Sequence, residues 1–303
     1  MKIAIIIPTL NGERTFTMVA KSLREQSISA ESQTMVIDSE SSDSTSVIAK
    51  EYGWRVVDID RKSFNHGGTR QKGVELCDAE IIIFLTQDVI LANERSIEKL
   101  VACFDNPKVS AAYGCQLPHK NAGALAAHAR LCNYPSESRL KSLKDAPELG
   151  IKTAFISNSF AAYRREALMT VGGFPSNTIL GEDTYVAAKM LLAGWKVQYC
   201  AESKVYHSHD YSLIQEFKRY FDIGVFHARE EWIRESFGKA EGEGLKFVLS
   251  EAKYLINTGK AYLLPVALIR TGLKYLGYRL GIKEQYLPVS IKKQFSMHSN
   301  YWN

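Results

Sequence analysis

Between residues 3 and 104 the apolar positions follow two alternating rhythms. Four short runs, Ile3–Ile7, Thr34–Asp38, Trp54–Asp58 and Ile81–Leu85, read as strands, and the last, rich in β-branched residues, as one buried on both faces. Between them Thr15–Glu25, Ser44–Glu51, Gly67–Leu76 and a stretch near Glu94–Phe104 space their apolar residues as helices do. This β-α-β-α order predicts a parallel, doubly wound sheet with flanking helices. Further on, Ala111–Gln116 and Asn158–Tyr163 read as strands of a mixed extension. Glu182–Leu192 reads as a helix ended at Gly194, and Lys196–Cys200 and Lys204–Tyr206 as two short strands. From Ser212 to about Arg234 the pattern is one helix, followed by an amphipathic, basic remainder. The expected division is an α/β domain over 1–211 and a helical C-terminal region over 212–303.

Charge sharpens that division. From Lys239 onward ten Lys or Arg face four Glu, a net of +6, so with a chain total of +5 the first 238 residues come to −1. Lys246, Lys253 and Lys260 recur every seven residues, which places them on one helix face among Leu, Ile, Tyr and Phe. Three readings suit this tail: a helical cap with a solvated cationic side, an interfacial helix on anionic lipid, or a homo-oligomer interface. Interleaving with a large apolar stripe, and the lack of a recognition module, argue against nucleic acid. The longest apolar run there, Ala261–Ile269, contains Pro265 and falls far short of the roughly 20 residues that span a bilayer. MKIAIIIPTLNG is too short for a signal peptide and runs into a turn. The five cysteines form no CxxC pair and read as small buried hydrophobes of a reducing cytoplasm. The expected location is cytoplasmic, peripheral at the inner face of the cell membrane.

In doubly wound sheets ligands sit beyond the carboxyl ends of the strands. Four polar loops therefore carry the candidate chemistry: Pro8–Glu13, Asp38–Thr45, Phe64–Arg70 and Thr86–Asp88. In the first, Asn11 and Glu13 either start a helix or face a ligand. In the second, one of Ser41, Ser42 and Asp43 is expected to cap the next helix. Asp38 is then left to accept from a pyrimidine N3–H or a ribose hydroxyl. In the third, Gly67, Gly68 and Arg70 suit phosphate. Asp88 lies five residues before Asn93, the expected cap of the following helix, and so is free to hold a hard divalent cation beside a diphosphate. Glu182-Asp183 at a helix start either complements its dipole or works on a substrate. The dipole would lower the Asp183 pKa and leave a weak base. His207 and His209, spaced i, i+2, would point the same way on a strand.

PTLNGE after the first strand, the DSESSD loop and the acid at the end of the fourth strand resemble the inverting family 2 glycosyltransferases of the GT-A (Rossmann-like) fold. FNHGGTR with TQD, where that family's Asp-x-Asp keeps only its last acid, together with RYFDIGVFH and FSMHSNYW, looks like the rhamnosyltransferase branch. Gln71 and Glu40 depart from it. The resemblance implies a mixed, mainly parallel sheet and transfer of L-rhamnose from dTDP-L-rhamnose. The implied acceptor is a hydroxyl of a cell-surface glycan, of O-antigen or capsule type and carried on polyprenyl diphosphate. It implies donor contacts from Pro8, Thr9, Asn11, Glu13, Asp38, Arg70, Gln87 and Asp88. It also implies magnesium or manganese on Asp88 and His207, Asp183 as general base and Glu182 orienting the acceptor. The alternatives are a UDP-hexose or UDP-N-acetylhexosamine donor, and a nucleotide-binding membrane adaptor without turnover.

Overall fold

The computed structural model describes residues 1–28, 31–238 and 243–302. Nine strands form one sheet: β1 (Lys2–Thr9), β2 (Glu31–Asp38), β3 (Arg55–Asp58), β4 (Ile81–Leu85), β5 (Ile90–Leu91), β6 (Val109–Leu117), β7 (Arg139–Lys141), β8 (Phe160–Arg164) and β9 (Lys196–Tyr206). Their order is β3-β2-β1-β4-β8-β6-β9-β5, with β7 also on β9. Pairing is parallel across β3, β2, β1 and β4 and again between β6 and β9. β8 runs antiparallel to both β4 and β6. The helices are α1 (Glu13–Arg24), α2 (Thr45–Glu51), α3 (His66–Glu75), α4 (Ser96–Ala102), α5 (Ala124–Asn133), α6 (Ala146–Leu149) and α7 (Arg165–Thr170). They continue as α8 (Glu182–Leu192), α9 (Leu213–Arg229), α10 (Glu231–Phe237), α11 (Glu243–Asn257), α12 (Leu264–Ile282) and α13 (Val289–Phe295).

The unbroken apolar runs follow from burial on both sheet faces. Ile3, Ile5, Ile7, Ile81, Ile83 and Leu85 share one core with Phe16 and Val19 of α1 and Ile97 and Leu100 of α4. Ala4, Ile6, Ile82 and Phe84 share the other with Val186, Met190 and Leu191 of α8. The register pairs Thr9 with Asp38 and Asp38 with Asp58, so these strand ends lie along one edge. Because β8 is antiparallel to β4, its beginning, not its end, reaches that edge: Phe160 pairs with Leu85.

Several boundaries differ from the sequence pattern. Lys196–Tyr206 is one strand whose pairing with β6 shifts register at Gly114/Cys115. The helix after Ser212 breaks at Glu230, whose φ of −107° and ψ of 48° are not helical. Cys132 is exposed, against the expectation of burial, while Cys77, Cys115 and Cys200 are buried; all five are free thiols.

Phe221, Val225 and Phe226 of α9 and Ile233 of α10 join the same core as α8. Against α9 lies α12 along a seam of glycines. A Cβ on Gly277 would stand 2.4 Å from the carbonyl oxygen of Phe217, on Gly281 2.1 Å from that of Phe221, and on Gly224 2.4 Å from that of Tyr278. Any side chain there collides with main chain. Outward, Leu245, Leu249 and Ile256 of α11, Tyr262, and Leu268, Ile269 and Tyr275 of α12 are each more than half exposed. Among the described residues no helix is long and apolar enough to cross a membrane.

Candidate active site

The first two loops are laced together. Asn11, at φ 48°, donates its N–H to Ser41 Oγ (2.9 Å) and accepts from the Ser42 N–H at Oδ1 (2.8 Å). Capping crosses over between loops. The N–H of Gly12 goes to Thr45 Oγ1 (2.8 Å) and that of Glu13 to Asp43 Oδ2 (3.0 Å). Asp43 Oδ1 also takes the Thr45 N–H (3.0 Å) at the start of α2, so one carboxylate serves two helix starts. Asp38 is only 2 % exposed. Its oxygens accept from Thr9 Oγ1 (2.7 Å), Ser41 Oγ (2.6 Å) and the Ser41 N–H (2.8 Å). Gln87 spends both ends of its amide on Leu10, accepting its N–H (2.8 Å) and donating to its carbonyl (3.0 Å). Pro8 and Thr9 are the last residues of β1, and Thr9 is buried. The structure thus gathers Thr9, Asn11, Glu13, Asp38 and Gln87 at one edge. It uses Asp38 and Gln87 to shape the loops, a demand that residue spacing does not reveal.

The third loop departs from the phosphate-cradle expectation. Asn65 caps α3 by accepting the Gly68 N–H (2.6 Å). A Cβ on Gly67 would lie 1.8 Å from the Pro175 carbonyl oxygen, so the glycine is required by protein backbone, not by a ligand. Arg70, 4 % exposed, donates to the His66 carbonyl (2.9 Å) and pairs with Glu182 Oε1 at 3.1 Å. The guanidinium expected at the diphosphate is buried behind the acid pair. Gln71 accepts the Phe174 N–H (3.0 Å), and Glu40, at φ 56°, accepts the Arg61 N–H (3.2 Å). Both departures from the resembled pattern are therefore accounted for within the fold.

Asp88 does not cap α4. Nor does Asn93, the expected cap: it accepts the Arg95 N–H (3.0 Å) in the turn before the helix, and the N-cap of α4 is Arg95, with no side-chain cap. Asp88 Oδ2 faces His207 Nε2 at 3.4 Å and His209 Nε2 at 3.6 Å. One ligand atom from each of the three residues falls within 4.8 Å of the others. Both histidines lie just past the end of β9, yet both rings converge on the carboxylate. The other face of His207 is fixed. Its Nδ1 lies 2.8 Å from Gln116 Oε1, which also accepts from Arg130 (2.8 Å), while Gln116 Nε2 donates to Ser157 Oγ (2.9 Å). An oxygen in that position requires Nδ1 to carry the proton, which leaves the Nε2 lone pair aimed at Asp88. Burial lowers the His207 pKa against the pull of Asp88. Burial and the neighbouring His207 lower that of His209 to about 4. At neutral pH a carboxylate and two uncharged imidazoles meet at one point, a donor set that a divalent cation fits. Mixed imidazole and carboxylate ligands suit manganese as well as magnesium.

The second centre is the start of α8. Glu182, 5 % exposed, accepts from Asn158 Nδ2 (3.0 Å) and holds Arg70. Asp183 accepts the Asn158 N–H (3.1 Å) and the Thr184 N–H (2.7 Å). Tyr163 donates to Asn158 Oδ1 (2.7 Å), setting the amide. Burial would raise Glu182; the Arg70 guanidinium reverses this and lowers it. Burial and the charge of Glu182 push the Asp183 carboxyl up to about 7. The dipole argument made for Asp183 is thereby corrected: at this position desolvation and a neighbouring carboxylate outweigh the helix end. Glu182 is the structural partner of Arg70, with little surface left for an acceptor.

Gln116 and Asn158 join the two centres, since Ser157 bonds Gln116 and the next residue holds Asp183. Neither was singled out from sequence. For Gln116 a signal existed, a lone amide closing the apolar run of β6. For Asn158 the signal lay in strand direction, which spacing does not give.

The architecture is that of solved sugar-nucleotide transferases. Mannosyltransferase PcManGT from Pyrobaculum calidifontis, solved with GDP-Man and Mn2+, superposes with a TM-score of 0.66 at 15% identity, over 94% of this chain and 88% of that one. At that identity the likeness is one of fold, the GT-A fold. The model of glycosyl transferase family 2 matches residues 4–172. The chain belongs to that family. It is 50% identical, over 100% of its length and 96% of the relative's, to O-antigen chain rhamnosyltransferase RfbN of Salmonella typhimurium. It is 46% identical, over 99% and 95%, to O-antigen chain rhamnosyltransferase WbaN of Salmonella anatum.

Proposed function

We propose that the protein transfers L-rhamnose from dTDP-L-rhamnose to a hydroxyl of an O-antigen-type glycan carried on polyprenyl diphosphate. The observation that carries this reading is 50% identity, along the whole chain, to an O-antigen chain rhamnosyltransferase. Asp88, His207 and His209 would hold a divalent cation, which when bound supplies positive charge for the departing diphosphate. The laced loops around Asn11 and Asp38 present the nucleoside site. Asp183, with a carboxyl titrating near 7, is matched to take a proton at cytoplasmic pH. The acceptor oxygen bonds the anomeric carbon as the bond from that carbon to the diphosphate oxygen breaks. The electron pair leaves with dTDP, and the acceptor's proton passes to an Asp183 oxygen. Displacement from the opposite face inverts the centre, so a β-linked donor gives an α-linked product. Glu182 and Arg70 keep the base charged to the right degree from behind.

The 212–303 region serves, on this reading, as the attachment to an anionic membrane surface. Exposed Leu249, Ile256, Leu268 and Ile269 stand among Lys253 and Lys260, the composition that interfacial helices use.

The deciding experiment is thermal shift with dTDP, UDP and GDP in magnesium, followed by transfer from dTDP-β-L-rhamnose monitored by NMR. Stabilisation by dTDP and an α-rhamnoside product are expected. Preference for UDP would move the reading to a UDP-sugar donor, and binding without turnover would leave a nucleotide-binding adaptor.

A further inference from the structure

Beside α8 lies a cavity of about 340 Å³ that the two centres above do not use. One wall is the turn into α3, with Phe64, Asn65 and His66; another is Thr178–Ile179, three residues before Glu182; the third is the C-terminal segment. That segment is not loosely placed. The Met297 N–H donates to Asp222 Oδ2 (2.8 Å), on a residue with no exposed surface. Tyr301 donates its hydroxyl to the Asn177 carbonyl (2.9 Å) and accepts from Arg229 (2.8 Å). The Arg229 guanidinium lies over both the Tyr301 ring (5.2 Å) and the Trp302 ring (5.1 Å).

In the cavity lining the rings of His66 and His298 meet edge to face at 4.8 Å. His66 Nε2 is buried without a hydrogen-bond partner in the protein. A buried imidazole nitrogen left unmatched costs free energy unless a ligand meets it. Burial lowers the pKa of both rings, His298 to about 4, so at neutral pH each offers one donor and one acceptor. That is the pairing a sugar hydroxyl, itself donor and acceptor, requires. The lining holds no carboxylate; Phe64, Ile179 and Met297 supply apolar surface for the C–H face of a pyranose. The volume lies at the low end of the roughly 300–1,000 Å³ typical of small-ligand sites.

The cavity adjoins Glu182, the chain neighbour of the base, through short links. His66 gives its carbonyl to Arg70, which holds Glu182, and a Cβ on Gly67 would lie 3.3 Å from the Glu182 Cβ.

We propose that the segment Ser296–Trp302 closes an acceptor-sugar subsite in which His66 and His298 hydrogen-bond hydroxyls of the residue that receives the transferred sugar. This rests on the glycosyl-transfer reading above, and it names the side chains that choose the acceptor.

Two measurements test it. In steady-state transfer, His298→Ala raises the acceptor KM at least tenfold, while donor KM and donor hydrolysis without acceptor stay at wild-type values. His298→Asn, which keeps a donor and an acceptor, recovers part of the loss. An unchanged acceptor KM, or a fall confined to kcat, overturns the subsite. Independently of turnover, saturation-transfer NMR with a panel of methyl pyranosides is expected to show contact in the wild type and loss in His298→Ala and His66→Gln. No contact in the wild type, or equal contact in the variants, also overturns it. A protein that neither hydrolyses nor transfers dTDP-L-rhamnose yet shows the histidine-dependent pyranoside contact would sink the donor assignment and keep the subsite.

Discussion

Gln116 Oε1 and His207 Nδ1 lie 2.8 Å apart, and that contact decides which nitrogen of the imidazole is free to bind. Arg130 donates to the same oxygen and prevents the amide from turning over. Outer partners of this kind typically contribute about 10–100-fold in metal affinity. Gln116→Ala should therefore move the magnesium or manganese activation curve to higher concentration by about that factor. Donor KM at saturating metal should change little. An unshifted curve would remove Gln116 from this role.

The two histidines should not be equivalent. His207 is buried and oriented by Gln116, whereas His209 stacks on Tyr211 with ring centroids 5.1 Å apart and is about one-third exposed. His207→Ala is expected to weaken metal activation more than His209→Ala; in metal-free buffer the buried His207 variant should also melt lower, while His209→Ala stays nearly unchanged. Isothermal titration with manganese measures the difference.

Asp183→Asn should cut turnover by about 10²–10⁴-fold, the range of a positioned acid or base, while dTDP binding persists. In the wild type the rate should fall as pH drops through about 7, because the base must be ionised. Removing the like charge by Glu182→Gln should carry that acid limb to lower pH. Stability has the opposite dependence. The folded carboxyl titrates above its unfolded value, so its favourable contribution is complete below about 4 and lost as pH rises through about 7. Above pH 7 the Asn variant should melt no lower than wild type. A pH–rate profile of Glu182→Gln that superposes on the wild type would contradict the coupling.

Gly67→Ala tests the reassigned third loop. A methyl group 1.8 Å from the Pro175 oxygen cannot be accommodated without moving α3. Overpacking of this type costs about 1–3 kcal/mol, readable in urea unfolding. Because Arg70 rides on the same helix, activity should fall with stability. A variant as stable as wild type would show that α3 tolerates the shift.

The sheet was legible because burial on both faces leaves unbroken apolar runs, and its active edge because four polar loops follow those runs. Asp88 stood out as an acid that no cap required, whereas Asp183 was marked only by the family resemblance. What spacing did not convey was the tertiary use of the other polar residues. Arg70 looked like a phosphate ligand because its loop is glycine-rich, but the glycine answers to Pro175 and the arginine to Glu182. Gln87 looked like part of a binding motif and is a clamp on Leu10. The Asp183 pKa was misjudged because the helix end is visible in sequence and the burial of the Glu182-Asp183 pair is not. The separated strands around 200 merged because β6 and β9 absorb a register shift between Gly114 and Cys115.

Membrane attachment can be examined on the outer helices. Leu268→Ser with Ile269→Ser removes two exposed apolar groups that face away from the core. Flotation with anionic liposomes should drop severalfold, with transfer to a water-soluble acceptor retained. Equal flotation of variant and wild type would argue for another use of this surface.

The glycines between α9 and α12 set a limit on movement. With main chain resting on main chain at Gly224, Gly277 and Gly281, neither helix can slip along the other without collision. The outer face of α12 therefore keeps a fixed register on α9, which shares its core with α8. A lipid-anchored acceptor would meet a gauge of invariable height, and only hydroxyls at one distance from the anchor would come level with the base.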